Sequence, residues 1–215
     1  MNYHNLTYPD MNNGDGLRIV LWLSGCSHTC PGCQNPQTWD PNSGIPFGES
    51  AKEELFTELD KDYISGVTLT GGDPLFEKNL DDVLDLVTEI NFRYNKTQDI
   101  AYRHYKNHNI LNKNGNEIRL SSPTKSIWLY TGYTWNQIIN HHSAITDEFD
   151  YIEESYINSL FEKRKEIVSK CDVLIDGRYI EQQRNITLKW RGSENQNVID
   201  IQKSLIEGRK VLWCN

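Results

Sequence analysis

The sequence predicts an α/β fold, a sheet of parallel strands alternating with helices, in one domain with an insertion. Three observations predict it. Short β-branched or apolar runs alternate with stretches of helical periodicity, the order that gives parallel sheets. The run Leu17 to Leu23 is almost continuously apolar, as suits a strand covered on both faces. Each run ends in a small, polar or glycine-rich segment, and the carboxyl ends of parallel strands are where α/β proteins build their sites.

Taken in order, the first sixteen residues read as polar and turn-rich, closing on Asn12-Asn13-Gly14-Asp15-Gly16. Leu17-Arg18-Ile19-Val20-Leu21-Trp22-Leu23 is the first strand, and a cysteine-rich loop over residues 24–35 follows it. Ser50 and Glu53 fit a capping box, opening a helix that runs to about Asp60 with Leu55, Phe56 and Leu59 on its apolar face. Gly66-Val67-Thr68-Leu69-Thr70 is a second strand, closed by Gly71-Gly72-Asp73-Pro74. Leu80, Val83, Leu84, Leu86, Val87 and Ile90 then trace an amphipathic helix.

Residues 93–125 break this rhythm. They are rich in Asn, Lys and Tyr, have weak periodicity and contain Asn114-Gly115, a hairpin-turn signal, so they read as an insertion. Ser126-Ile127-Trp128-Leu129-Tyr130 restores the pattern as a third strand ending in Thr131-Gly132-Tyr133-Thr134. A helix from about Glu153 to Ser169 leads to a fourth strand, Cys171 to Ile175, ending in Asp176-Gly177-Arg178-Tyr179. A polar loop with Arg191-Gly192-Ser193-Glu194-Asn195-Gln196 precedes two expected short strands, Val198–Ile201 and Lys210–Trp213.

Composition narrows the function classes. The chain has 215 residues and a formal net charge of -8, which argues against a general nucleic-acid binder. No apolar run approaches the ~20 residues that span a bilayer, so no membrane partner is expected. The charge is uneven: residues 45–92 hold 3 Lys/Arg against 12 Asp/Glu, and residues 93–125 hold 7 against 2. Five cysteines, an odd count without a targeting segment, point to reduced thiols in a cytoplasmic compartment rather than to disulfides.

The chemistry centres on Ser24-Gly25-Cys26-Ser27-His28-Thr29-Cys30-Pro31-Gly32-Cys33, a C-x3-C-x2-C array. Thiolates bind zinc or iron–sulfur clusters, and both usually take four protein ligands, whereas this loop supplies three. Zinc with Cys171, Cys214 or His28 as fourth ligand is one reading. The other is a cubane whose fourth iron stays open to a small molecule. Gly71 and Gly72, without a Cβ, would let a ligand approach the backbone.

This array after a first strand resembles the radical S-adenosylmethionine (SAM) superfamily, and Gly71-Gly72-Asp73-Pro74 resembles its SAM-binding Gly-Gly-Glu/Asp-Pro motif. Gly14-Asp15-Gly16-Leu17-Arg18, Cys30-Pro31-Gly32-Cys33, Leu129 to Thr134, Asp176-Gly177-Arg178-Tyr179, Arg191-Gly192-Ser193 and Asn195-Gln196 are similar to the activating proteins of anaerobic, class III ribonucleotide reductases. The likeness covers roughly residues 12–92 and 126–202.

The resemblance implies an open, partial TIM-like β/α barrel of the radical SAM type and a glycyl-radical activase. It implies a [4Fe-4S] cluster on Cys26, Cys30 and Cys33, reduced by a flavodoxin-type donor, with SAM cleaved there and the resulting radical taking a glycine hydrogen from the large reductase subunit. Gly71, Gly72 and Asp73 are the expected site for the methionine end of SAM. Gly32, Cys33 and Gln34 are expected near its adenine, and Thr131 and Asp176 are further expected neighbours. No side chain is expected to be catalytic, since cluster and SAM carry the chemistry. Two alternatives stand: the activase of another glycyl-radical enzyme of the pyruvate formate-lyase type, and a zinc-stabilised interaction module. The sequence departs from many superfamily members in having Gly32, not an aromatic residue, before the last cysteine.

Overall fold

The computed structural model describes residues 1–94, 125–140 and 151–214. The expected insertion falls largely outside the described residues; of it, Arg93 and Tyr94 end a helix and Lys125 leads into a strand. The elements in chain order are β1 (Asn2–Asp10), β2 (Leu17–Leu23), β3 (Ile45–Pro46), α1 (Glu49–Leu59), β4 (Ile64–Gly71), α2 (Leu80–Tyr94), β5 (Ser126–Tyr130), α3 (Trp135–Ile139), α4 (Tyr151–Ser169), β6 (Val173–Asp176), β7 (Asn197–Asp200) and α5 (Ile201–Glu207).

The seven strands among the described residues form one open sheet in the order β3-β1-β2-β4-β5-β6-β7. Its centre is parallel as expected, β2 with β4, β4 with β5 and β5 with β6. The flanks are antiparallel: β1 pairs with β2 and β3, and β7 pairs with β6. Four adjacent parallel strands therefore end on the same edge.

Side chains alternate across this sheet as the strand period of two requires. Ile19, Leu21, Leu23, Val67, Leu69, Ile127, Leu129, Leu174 and Ile199 face a core shared with the helices. Helix α1 meets it with Ala51, Leu55, Phe56 and Leu59, and α2 with Leu80, Val83, Leu86, Val87 and Ile90. Burying one such side chain contributes about 1.5–3 kcal/mol. The opposite face packs Trp128, Val173, Ile175 and Val198 against Tyr130, Trp190 and Cys214.

Several local expectations are corrected. The N-terminal stretch is not a loop but the long strand β1, whose register shifts between Tyr3 and Asn5 and between Thr7 and Asp10 blur its alternation. The N-cap of α1 is Gly48, without a side-chain cap, and not Ser50. The Val198–Ile201 strand is β7, one residue earlier, and Ile201 opens α5, with the Asp200 carboxylate accepting from Lys203 N–H. Residues 210–213 form no strand; a single bridge joins Leu212 to Ile199. Helix α3 follows β5 directly, opened by a Thr134–Gln137 capping box.

Candidate functional site

The loop after β2 folds back across the sheet edge. Gly25 N–H donates to Thr38 O at 2.8 Å and Cys26 N–H to Trp39 O at 3.0 Å. Between the first two cysteines Thr29 takes a φ of 44°, a sparsely populated conformation for a β-branched residue. That turn aims the His28 and Thr29 N–H groups at the Cys26 sulfur. The Cys30 sulfur receives the Tyr179 N–H, and Asn35 N lies 3.4 Å from the Cys33 sulfur.

All three cysteines are free and partly buried. Burial pushes the Cys26 thiol up to about 11, with the Asp73 carboxylate adding to the rise and the backbone N–H groups opposing it. Burial also raises Cys30, against the pull of the Tyr179 N–H and of Arg178. Thiols held this way gain when a cationic metal centre replaces their protons.

The Gly71–Asp73 turn docks on the same loop. Gly72 N–H donates to Leu23 O and Asp73 N–H to Gly25 O, both at 2.7 Å. The glycines are demanded by this approach: a Cβ on Gly72 would meet the Gly25 backbone within 3.0 Å, and one on Gly71, at φ 100°, the backbone of Trp22 and Leu23. The space expected for a ligand beside these two residues is thus partly filled by the neighbouring loop.

Asp73 is 2% exposed and its carboxylate is fully engaged. Oδ1 accepts from Leu75 N–H, and Oδ2 accepts from Thr131 Oγ1 at 2.9 Å and Gly132 N–H at 3.1 Å. His28 Nε2 lies 2.8 Å from Oδ2, but off the axis of a good hydrogen bond. His28 Nδ1 accepts from Arg178 Nε at 3.1 Å.

These groups border an open cleft of about 880 Å³, its open mouth included, at the carboxyl ends of the parallel strands. Of the residues the sequence singled out, Cys26, Cys30, Cys33, Gln34, Gly71, Gly72, Asp73 and Thr131 line it. Gly32 does not; the space beside its Cα is taken by Glu181 and the Tyr179 ring. Asp176 does not either. It is 2% exposed, accepting from Trp135 N–H through Oδ2 and from Asn197 N–H and Nδ2 through Oδ1, so it joins β6 to α3 and β7.

Sequence reasoning passed over Trp39, Arg178, Tyr179 and Gln196, which also line the cleft. The signal for three of them lay in the two motifs after β6. Gln196 Oε1 accepts from Gly192 N–H and Ser193 N–H, and its Nε2 donates to Gly177 O, which folds residues 177–196 over the cluster loop.

The residues fit an iron–sulfur cluster. Three thiols with backbone N–H donors aimed at them are a cluster's usual surroundings. Buried donors that lack an aligned acceptor, His28 Nε2 and Trp39 Nε1, stand beside them. Among the described residues no three His, Cys, Asp or Glu side chains converge on one point. No helix among the described residues is long and apolar enough to cross a membrane.

Comparison with known proteins agrees. The family described as "4Fe-4S single cluster domain" matches residues 12–119 and 115–199. Anaerobic ribonucleoside-triphosphate reductase-activating proteins of Enterobacteria phage T4 and of Escherichia coli K12 are each 32% identical over 200 residues, 92% of this chain and 93% and 97% of theirs. That of Vibrio cholerae is 32% identical over 198 residues, 91% of this chain and 96% of its own.

Proposed function

The chain belongs to the anaerobic ribonucleoside-triphosphate reductase-activating proteins, and from that premise we propose that it is a radical SAM glycyl-radical activase. It holds a [4Fe-4S] cluster on Cys26, Cys30 and Cys33, binds SAM in the adjoining cleft, and acts on the large subunit of an anaerobic ribonucleotide reductase. When bound, the cluster supplies the electron that cleaves SAM to methionine and a 5′-deoxyadenosyl radical, which removes a glycine α-hydrogen of the reductase.

The observation that carries this reading is the meeting of all three thiols, the Gly71–Asp73 turn and Thr131 on one cleft at the ends of four parallel strands. An open sheet with its helices on one face suits the partial-barrel architecture of such enzymes. Gly71, Gly72, Thr131 and Gln34 are the residues we assign to SAM. The Asp73 carboxylate, already saturated, serves by fixing the turn. Trp22, Trp39, Tyr130 and Tyr179 line the cleft with ring surface that limits water around a reactive carbon radical.

The remaining assignments follow from the same reading. The chain acts as one domain over residues 1–215 with an insertion at about 93–125, in the cytoplasm, with a flavodoxin-type reductant. Its acidic charge supports a protein partner over a nucleic acid.

The deciding experiment uses protein purified anaerobically and reconstituted with iron and sulfide. After dithionite reduction, a [4Fe-4S] electron paramagnetic resonance signal that changes on adding SAM, with release of 5′-deoxyadenosine, is expected; Cys30→Ser should abolish both. Stoichiometric zinc, no cluster signal and no SAM cleavage would overturn the reading in favour of a zinc-stabilised module.

A further inference from the structure

Trp39 is fastened to the first cysteine of the loop. Its carbonyl accepts the Cys26 N–H at 3.0 Å, and the Thr38 carbonyl beside it accepts the Gly25 N–H at 2.8 Å. Thr38, 1% exposed, also donates its hydroxyl to Asn35 O. The backbone of Thr38 and Trp39 is therefore pinned to the start of the cluster loop.

The ring lines the cleft with the three cysteines, yet its Nε1 is buried and has no hydrogen-bond partner among the described residues. Trp22, which lines the same cleft, shows the usual outcome: its Nε1 donates to Thr7 Oγ1 at 2.9 Å. An indole N–H can only donate, and a buried donor left unpaired carries its full desolvation cost. What Trp39 lacks is an acceptor among the described residues.

We propose that Trp39 Nε1–H is a positioning donor to a sulfur of the cluster held by Cys26, Cys30 and Cys33; the inference rests on the function proposed above. Trp39 lines the cleft together with all three cysteines, which favours a cluster sulfur over the carboxylate of SAM. Hydrogen bonds to cluster sulfurs favour the reduced, more negative state and so raise the reduction potential. Trp39 thereby helps to set how readily this centre is reduced.

The test compares reconstituted wild-type protein with Trp39→Phe, which keeps an aromatic ring and removes the donor, and Trp39→His, which restores an N–H. Redox titration without SAM should show the midpoint of Trp39→Phe shifted to more negative potential, with Trp39→His shifted back. SAM affinity of the oxidised protein should stay within about twofold of wild type. A SAM dissociation constant raised about tenfold at unchanged potential would assign the donor to SAM and overturn the cluster contact. Unchanged potential and unchanged affinity would overturn any ligand role for this donor.

Should the Phe variant fail to fold, wild-type protein with indole-¹⁵N tryptophan decides. Pulsed paramagnetic resonance of its reduced cluster should show a nitrogen coupling, and no coupling overturns the inference. A wild-type chain that takes up no cluster would sink the proposed function together with this inference; a normal cluster indifferent to Trp39 sinks the inference alone.

Discussion

His28 Nε2 of the cysteine loop lies 2.8 Å from Oδ2 of Asp73, at the turn after β4. The same oxygen accepts from Thr131 Oγ1 and Gly132 N–H after β5, and His28 Nδ1 accepts from Arg178 after β6. Because Nδ1 accepts, the proton is assigned to Nε2, facing the carboxylate. One imidazole thus registers the cysteine loop against the ends of three parallel strands.

His28→Ala should leave the fold intact, since Asp73 keeps three donors. The expected loss is about 1–2 kcal/mol, or roughly 2–4 °C in melting temperature for each kcal/mol in a chain of this size. The reconstituted variant should still carry its cluster but bind SAM more weakly, because the loop keeps its backbone bonds to the Gly71–Asp73 turn but loses the side chain that also ties it to the ends of β5 and β6. Thermal melts and SAM titration check this, and unimpaired SAM binding would reduce the contact to a fold element.

Gly132→Ala should reproduce much of that phenotype from the other side. A methyl group on Gly132 would lie within 2.6 Å of three atoms of the His28 ring, so the ring must leave its place. The double variant His28→Ala/Gly132→Ala should bind SAM about as well as His28→Ala alone, since the obstacle has gone. Additive losses in this cycle would show that the two residues act independently.

How far the site could be read from sequence differs from residue to residue. Leu17–Leu23, Ile64–Gly71, Ser126–Tyr130 and Val173–Asp176 were legible because buried parallel strands are almost uniformly apolar. Strand β1 was not, because its bulges break the alternation of Tyr3 and Leu6. The cysteine spacing and the glycine-rich strand ends marked the cleft. They could not show that Asp176 is spent on Trp135 and Asn197, or that Gly32 yields its space to Tyr179 and Glu181, because those partners come from distant segments. Trp39 Nε1 is invisible in a sequence, where an unpaired donor looks like any other.

The raised Cys26 thiol predicts a pH dependence for the metal-free protein. A thiol held at about 11 in the fold, against an ordinary value of 9.0, keeps its proton in the native state where the unfolded chain loses it. Its contribution to stability is complete below about pH 9 and is lost as pH rises toward 11. Denaturant midpoints of the cluster-free protein should therefore fall over that window, and Cys26→Ser should flatten the slope. An equally steep fall in Cys26→Ser would place the titrating group elsewhere.

Arg18 offers the sharpest test of the fold beneath the site. Its side chain is 0% exposed under the sheet, and burial pulls the guanidinium down to about 10. Among the described residues it makes no direct carboxylate pair. Nε donates to Thr68 Oγ1, Nη1 to Asp15 O and Ser126 Oγ, and Nη2 to Val67 O and Ser126 O, while the guanidinium lies 5.1 Å from the Trp128 ring. The charge is therefore shared among neutral oxygens that fasten β2 to β4 and β5. Gly14 belongs to the same device, since a Cβ there would come within 2.6 Å of Arg18 Cδ, which gives Gly14-Asp15-Gly16-Leu17-Arg18 a structural reason. Arg18→Met keeps most of the volume but strands several buried acceptors, so urea denaturation should show a loss of about 2–4 kcal/mol. Desolvating a guanidinium also costs energy, and replacing buried charge by apolar bulk can be neutral. A variant as stable as wild type would mean that the two costs cancel, and that Arg18 serves strand order and not stability.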